Sequence, residues 1–446
     1  MSSISLRSPQ ISGFTADFGL ESKSPLRSLG SITKLVGLTV ESKGPVCSVG
    51  DLVSIISSSD SSKQNFAEVV GFRDDRVMLF PLDTIQGVKS GDRVVLVNEG
   101  FTIPVGQALL GRVVDGLCRP IDGGPPIIPE ARWKVKRQAP NSMMRKRITE
   151  PFITGVRAVD SAIMCGCGQR MGIFAGSGVG KSSLLGMICR NSISDLNVVS
   201  LIGERGKEVL EFIEDSLGEE GLKKSLVVVS TSDKSPLQRV KGAEVAMAVA
   251  EYFRSLGVSV LFVMDSVTRY AMAQREIGLA VGEPPATRGY PPSVFNMLPA
   301  LLERAGTDRE GSITGFFTVL VEGDDMNDPI ADTVRGILDG HMVLTRRLAT
   351  QAHFPSIDIL ESISRVMSGV AQPDHMKLAY EMRRLLAAYR RAEDLINIGA
   401  YKEGSNPEID RAVKKKPLID EFLKQGLFEN AGWGATFARM REILTK

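Results

Sequence analysis

The segment Ala175–Ser182 reads AGSGVGKS, entered from the apolar run MGIFA and left through SSLLGMI. A strand, a Gly-rich loop and a helix in that order make a phosphate cradle. The glycines let backbone NH groups turn inward around phosphate oxygens, and the helix presents its positive end. Ala175, Gly176, Ser177, Gly178, Val179, Gly180, Lys181, Ser182 and Ser183 are therefore the candidate cofactor-binding residues. Lys181 would neutralise the β and γ phosphates, and the Ser182 hydroxyl would ligate magnesium, which makes ATP and Mg2+ the expected cofactors. The strict pattern begins with Gly where this chain has Ala175, a residue small enough to permit the loop.

A second magnesium partner is expected at the tip of a neighbouring strand. The run Val260 to Met264 followed by Asp265 has that form: apolar residues that bury a strand, then one carboxylate at its end. Hydrolysis also needs a group that orients water. VVSLIGERGKEVLEF places Glu204 and Arg205 directly after another strand, at the rim where open parallel sheets keep their ligands. A Glu at a helix start also favours the helix by itself, so spacing alone leaves that role open.

These residues need a scaffold to bring them together. From MGIFA onward, apolar strands alternate with amphipathic helices: VVSLIG with a helix from Lys207, SLVVVST with a helix from Leu237 to Leu256, SVLFVMD with a helix through Ala273. That alternation predicts a mainly parallel sheet covered on both faces. Further strands are expected over Ser312 to Val321 and His341 to Leu344, and a helical domain after Met367. Upstream, short β-branched runs at Ile32 to Val40, Leu52 to Ile56, Ala67 to Phe72, Arg76 to Phe80 and Arg93 to Val97 suggest a small β-barrel. Arg119 to Pro140, dense in Pro and Gly, reads as a connector without an element of its own. The expected division is a mobile tail or docking peptide over residues 1–27, a barrel over 28–98, an ATPase domain over 99–367 and a helical domain over 368–446.

The bulk composition sets limits. At 446 residues more than one domain is expected, and 54 Lys plus Arg against 52 Asp plus Glu provide no overall field for nucleic acid or anionic membrane. Five cysteines without a CxxC pair suit a reducing cytosol, and three scattered histidines give no zinc pattern. No apolar run approaches the roughly 20 residues of a membrane helix, and the N-terminus lacks a signal-peptide core, so a cytoplasmic protein is expected.

AGSGVGKSS, GERGKEV, MDSVTRYA, GEPPATRGYPPSVF, VEGDDMNDPIADTVRGILDGHMVL and FPSIDILESISRVM together resemble the ATPases of flagellar and type III protein export, relatives of rotary ATP synthase catalytic subunits. GEPPATRGYPPSVF is closer to the export branch. The resemblance implies an α/β fold: a RecA-like P-loop ATPase core, an N-terminal small β-barrel and a C-terminal helical domain. By the same resemblance Glu204 positions the attacking water, Glu208 joins the magnesium hydration network, and Arg205 holds the γ phosphate or the subunit boundary. Arg365 is the finger that reaches a neighbour's ATP site. Phe354 either packs on adenine or is a core residue; Asp324 and Asp325 lie near the same rim without an assigned role. Cys118, in VVDGLCRPIDG, stands where the family usually has Gly.

The implied function is ATP-driven release of export substrates from chaperones by a homohexameric ring. It would meet a central stalk protein, take a stator-like regulator at the N-terminal tail, and sit peripherally at the cytoplasmic face of the inner membrane. A rotary synthase or ion-pump subunit is the alternative. An RNA translocase of the Rho type would need basic grooves with stacked aromatics, and Ser31 to Val97 has only Phe66, Phe72 and Phe80 with few paired basic residues. No nucleic-acid partner is expected. A binding scaffold without turnover fits poorly with both Glu204 and Arg365 being present.

Overall fold

The computed structural model describes residues 28–445 apart from 59–63, 84, 86, 98, 99, 322 and 324. The N-terminal tail and Asp324 lie outside the described residues. Six strands, β1 (Leu29–Val36), β2 (Thr39–Lys43), β3 (Leu52–Ile56), β4 (Gln64–Arg73), β5 (Arg76–Pro81) and β6 (Arg93–Val97), close into a barrel in the order β1-β2-β5-β4-β3-β6. Alternate side chains point inward, and Ile32, Val40, Val53, Ile55, Val69, Leu79 and Val94 fill it. Closure leaves no unpaired strand edge. The run Ile32 to Val40, expected as one strand, is divided between β1 and β2. Gly37, at φ 57°, takes the left-handed conformation that the reversal needs.

The chain then forms β7 (Thr102–Val105), β8 (Val113–Asp115) and β9 (Ala131–Lys134). The last corrects the expectation of an element-free connector, because β9 pairs antiparallel with β7. The segment ARWK follows the Pro-Gly cluster, and its Trp133 packs edge-on against Tyr252, ring centroids 5.5 Å apart. Cys118 adopts φ 65°, so the turn does require a left-handed residue, and a Cβ there is strained. The buried thiol packs into the core in partial compensation.

An antiparallel pair of short strands, β10 (Pro151–Phe152) and β11 (Cys165–Gly166), with the helix Arg157–Ala162 between them, leads into the central sheet. Its strands are β12 (Arg170–Ala175), β13 (Leu196–Ile202), β14 (Ser225–Ser230), β15 (Ser259–Asp265), β16 (Gly306–Thr307), β17 (Ser312–Leu320), β18 (Gly340–Leu344) and β19 (Ile357–Ser364). The order is β19-β18-β12-β17-β15-β13-β14-β8, with β16 pairing β17. β8 and the strands from β14 across to β18 run parallel, whereas β19 is antiparallel to β18. Every residue of β13 and β14 is buried, as helices on both faces require. The helices Pro373–Asn397, Pro407–Leu423 and Trp433–Thr445 form the C-terminal bundle. It is tied to the core where His375 Nε2 lies 2.7 Å from the Ser161 carbonyl. Among the described residues no helix is long and apolar enough to cross a membrane.

Candidate active site

Parallel pairing aligns the strand ends. Ala175 sits opposite both Leu320 and Leu344, while Leu201 sits opposite Asp265. The P-loop, Glu204 and Asp265 thus share one rim. Gly178 and Gly180 have φ of 77° and 88°, values that side-chain-bearing residues rarely adopt, and the helix Lys181–Asn191 starts immediately after them. Ser356 Oγ donates to the Val179 carbonyl at 2.6 Å and pins the loop from behind.

Lys181 Nζ lies 2.5 Å from Asp265 Oδ1 and 3.6 Å from Glu204 Oε1. The two carboxylates raise the ammonium's pKa against the opposing effect of burial. Glu204 is pushed up to about 7, chiefly by burial and then by the neighbouring Asp265, with Lys181 opposing and a hydrogen bond to Glu208 adding to the rise. Glu208 is lowered by that same bond and by Arg205. Glu204 Oε1 is buried without a hydrogen-bond partner, an arrangement that suits a water or ligand to be received there.

A cleft of about 1100 Å³ opens over these groups. The loop from Ala175 to Lys181, together with Ser182 and Ser183, lines it, Val179 alone turning away. Arg205 and Glu208 reach the same cleft, but the Arg205 side chain is 82% exposed, 3.8 Å from Glu208, and outside the Lys181 cluster. Phe354 is 45% exposed and so is not a core residue; a methyl group on Gly180 would stand 3.4 Å from its ring. Asp325 pairs with Arg288 at 3.0 Å.

Arg365 is placed elsewhere. Its backbone NH donates to the Asp339 carbonyl, and the Asp339 NH donates to that of Arg170. Arg170 and Ala175 are the two ends of β12, a span of about 17 Å at the usual strand rise. Arg365 is therefore exposed at the rim opposite its own P-loop, out of reach of the triphosphate cradle in the same chain.

Sequence reasoning missed several cleft residues. Arg269 and Arg346 line the cleft, as does Leu427 from the C-terminal part of the chain. Arg269 stands in the first turn of the helix Val267–Val281 that leaves the tip of the Asp265 strand, which keeps it beside the rim. Thr318, a lone hydroxyl in the apolar run FFTVLV, donates to Asp265 Oδ1 at 2.7 Å.

The residues present suit a nucleoside triphosphate with magnesium. A glycine cradle, a lysine held only by carboxylates and an unpaired buried oxygen converge, with the exposed Ser182 in the first turn of the helix. Among the described residues no group of three or more His, Cys, Asp or Glu side chains could hold a metal by itself. Phosphate and water would have to complete the shell, as is usual for Mg2+.

Residues 155–364 match the model of the ATP synthase alpha/beta family, nucleotide-binding domain, and residues 371–442 match that of the T3SS EscN ATPase C-terminal domain. A flagellum-specific ATP synthase of Bacillus subtilis is 52% identical, covering 92% of this chain and 94% of its own. A type 3 secretion system ATPase of Xanthomonas euvesicatoria is 49% identical, covering 90% of each. The assembled ATPase EscN of the enteropathogenic E. coli type III secretion system superposes with a TM-score of 0.87 at 44% identity, over 93% of this chain and all of that one. An N-terminal barrel, a nucleotide-binding core and an EscN-type helical C-terminus on one chain, at these identities, mean that the protein belongs to the flagellar and type III secretion export ATPases, not to the rotary synthase subunits.

Proposed function

We propose that this ATPase works as a homohexameric ring whose catalytic sites form between subunits. The position of Arg365 carries the reading: it is exposed at the rim opposite its own P-loop, where a neighbour's site can receive it. EscN, similar over nearly the whole chain, has been solved as an assembled ATPase and in complex with its central stalk EscO. In this reading Lys181 binds the β and γ phosphates, Glu204 orients the attacking water, and Arg365 of the adjoining subunit stabilises charge on the transferring phosphoryl group. Ser182 and Asp265 would hold magnesium, with Glu208 in its hydration network; the ion would supply positive charge against the triphosphate. Arg205, solvent-directed, belongs to the subunit boundary, and Phe354 forms one wall for adenine. Asp325, occupied by Arg288, receives no metal role.

The coupled work is release and delivery of export substrates from chaperones at the cytoplasmic face of the inner membrane. The C-terminal helices would meet chaperones and a central stalk, and the N-terminal tail would bind a stator-like regulator. The domain limits that serve this are residues 28–98, 99–367 and 368–446. Glu204→Gln and Arg365→Ala should each lower turnover about a thousandfold, while both keep nucleotide binding. Mixed one to one, they should regain activity, because about a quarter of the interfaces in a cyclic ring pair an intact Glu204 with an intact Arg365. Mixed rings as inactive as either variant, or full activity in demonstrably monomeric protein, would show that Arg365 does not act across the boundary.

A further inference from the structure

β17 lies between the P-loop strand β12 and the Asp265 strand β15, with Ile173 opposite Thr318 on one side and Met264 opposite Phe317 on the other. Thr318 is fully buried. A hydroxyl in that setting is costly unless it is hydrogen-bonded, and a valine would fill the same volume. Its one proton has two acceptors in range, Asp265 Oδ1 at 2.7 Å and the Met264 carbonyl at 3.2 Å. The shorter, charge-assisted bond to the carboxylate takes the proton.

Asp265 Oδ1 thus has two partners, Lys181 Nζ and Thr318 Oγ1. They are not equivalent. Lys181 stands at the mouth of the cradle and is needed by the phosphates once a triphosphate enters, whereas Thr318 is fixed inside the sheet. A second threonine closes the same corner: Thr268 Oγ1, on the helix Val267–Val281 that follows Asp265, accepts the Leu320 NH at 2.9 Å. The tip of β15 is therefore stitched to β17 on both sides of the carboxylate.

We propose that Thr318 is a positioning residue that holds the Asp265 carboxylate in place for magnesium after Lys181 has turned to the phosphates. This rests on the reading of Asp265 as a metal-side carboxylate. Thr318→Val should lower kcat about tenfold, the worth of one hydrogen bond to a charged group. It should raise the half-saturating Mg2+ concentration severalfold, with the KM for ATP at saturating Mg2+ little changed. Thr318→Ser, which keeps the hydroxyl, should stay within about twofold of the unaltered enzyme in both quantities. Thermal unfolding of each variant reports its folding separately. The proposal is overturned if the Val variant keeps the original Mg2+ dependence, or if Ser and Val lose activity alike. Asp265→Asn, measured in parallel, separates the two ideas. An unchanged Mg2+ dependence there would defeat the metal-side reading itself, while a large shift there beside an unaltered Thr318→Val defeats only the role of Thr318.

Discussion

Two largely hidden lysines, each flanked by two carboxylates, sit in contrasting surroundings in this molecule. Lys181 sits between Asp265 and Glu204 at the P-loop; Lys241, on the helix Pro236–Ser255, sits between Glu244 of its own helix and Glu68 of the barrel strand β4. Their side chains are similarly hidden, 12% and 8% exposed. The difference lies in closure. Lys241 is 2.7 Å from Glu68 and 2.9 Å from Glu244, a short contact to each carboxylate. Lys181 has one short and one long contact, an orphaned oxygen on Glu204 and a cleft overhead. A satisfied cluster bolts two parts of the chain together, and an incomplete one awaits a ligand.

The Lys241 side of this contrast should give the largest effect. The barrel meets the core through apolar packing of Leu52, Phe80 and Leu82 and through polar contacts that include Lys241 with Glu68, Ser235 Oγ donating to the Leu82 carbonyl, Arg119 bridging Asp83 and Asp115, and Arg73 donating to the Val281 carbonyl. Burial raises the pKa of Glu68 despite its lysine, so this carboxylate has little tolerance for losing its counter-charge. Lys241→Ala should cost about 3 kcal/mol, because it leaves two half-buried carboxylates facing each other without their counter-charge. Thermal unfolding of the monomer should show it, and an unchanged Tm would mean the cluster is not a bolt. Nucleotide affinity of the folded fraction should stay as it was.

Lys181→Ala should behave in the reverse sense. Its carboxylates face an open cleft, and Glu204 can take a proton, so folding should suffer little. ATP affinity should fall about a hundredfold or more, the loss of charge-assisted bonds to phosphate. Equilibrium binding of a fluorescent ATP analogue, read beside the Tm, tests both halves. A variant that binds normally but melts early would make Lys181 a structural lysine like Lys241.

What the sequence made legible followed from contiguity. The P-loop is one uninterrupted segment, and Asp265 ends an apolar run, so both could be placed before any fold was known. Thr318, Arg269, Arg346 and Leu427 reach the cleft from separate segments, and only the strand order brings them there. The Glu68–Lys241 pair was invisible for the same reason: nothing in either segment says that the barrel docks on that helix. The expectation for Arg365 came only from the resemblance, since nothing in its local sequence sets it apart from other exposed arginines. Cys118 shows a local rule at work: the resemblance implied a glycine at that position, and its φ of 65° is the conformation that glycine adopts most readily.

The smallest expected effect concerns the proton on Glu204. Its pKa is about 7 in the folded protein against 4.5 for an ordinary Glu, with burial the first cause. Below about pH 4.5 both folded and unfolded states hold the proton, and between there and 7 only the folded state does. Stability therefore declines as pH rises through that window and levels off above it. Glu204→Gln, which cannot ionise, is exempt from this decline. The variant should be more stable than the unaltered protein at pH 8 by about 1–2 kcal/mol, and the margin should shrink as pH falls to 5. Without nucleotide, paired melting curves across that range would show it, and a margin independent of pH would mean that Glu204 is ionised throughout. The pH-dependent margin would show that the P-loop cluster carries a charge its own partners leave unsatisfied, as the long contact to Lys181 and the orphaned oxygen of Glu204 imply.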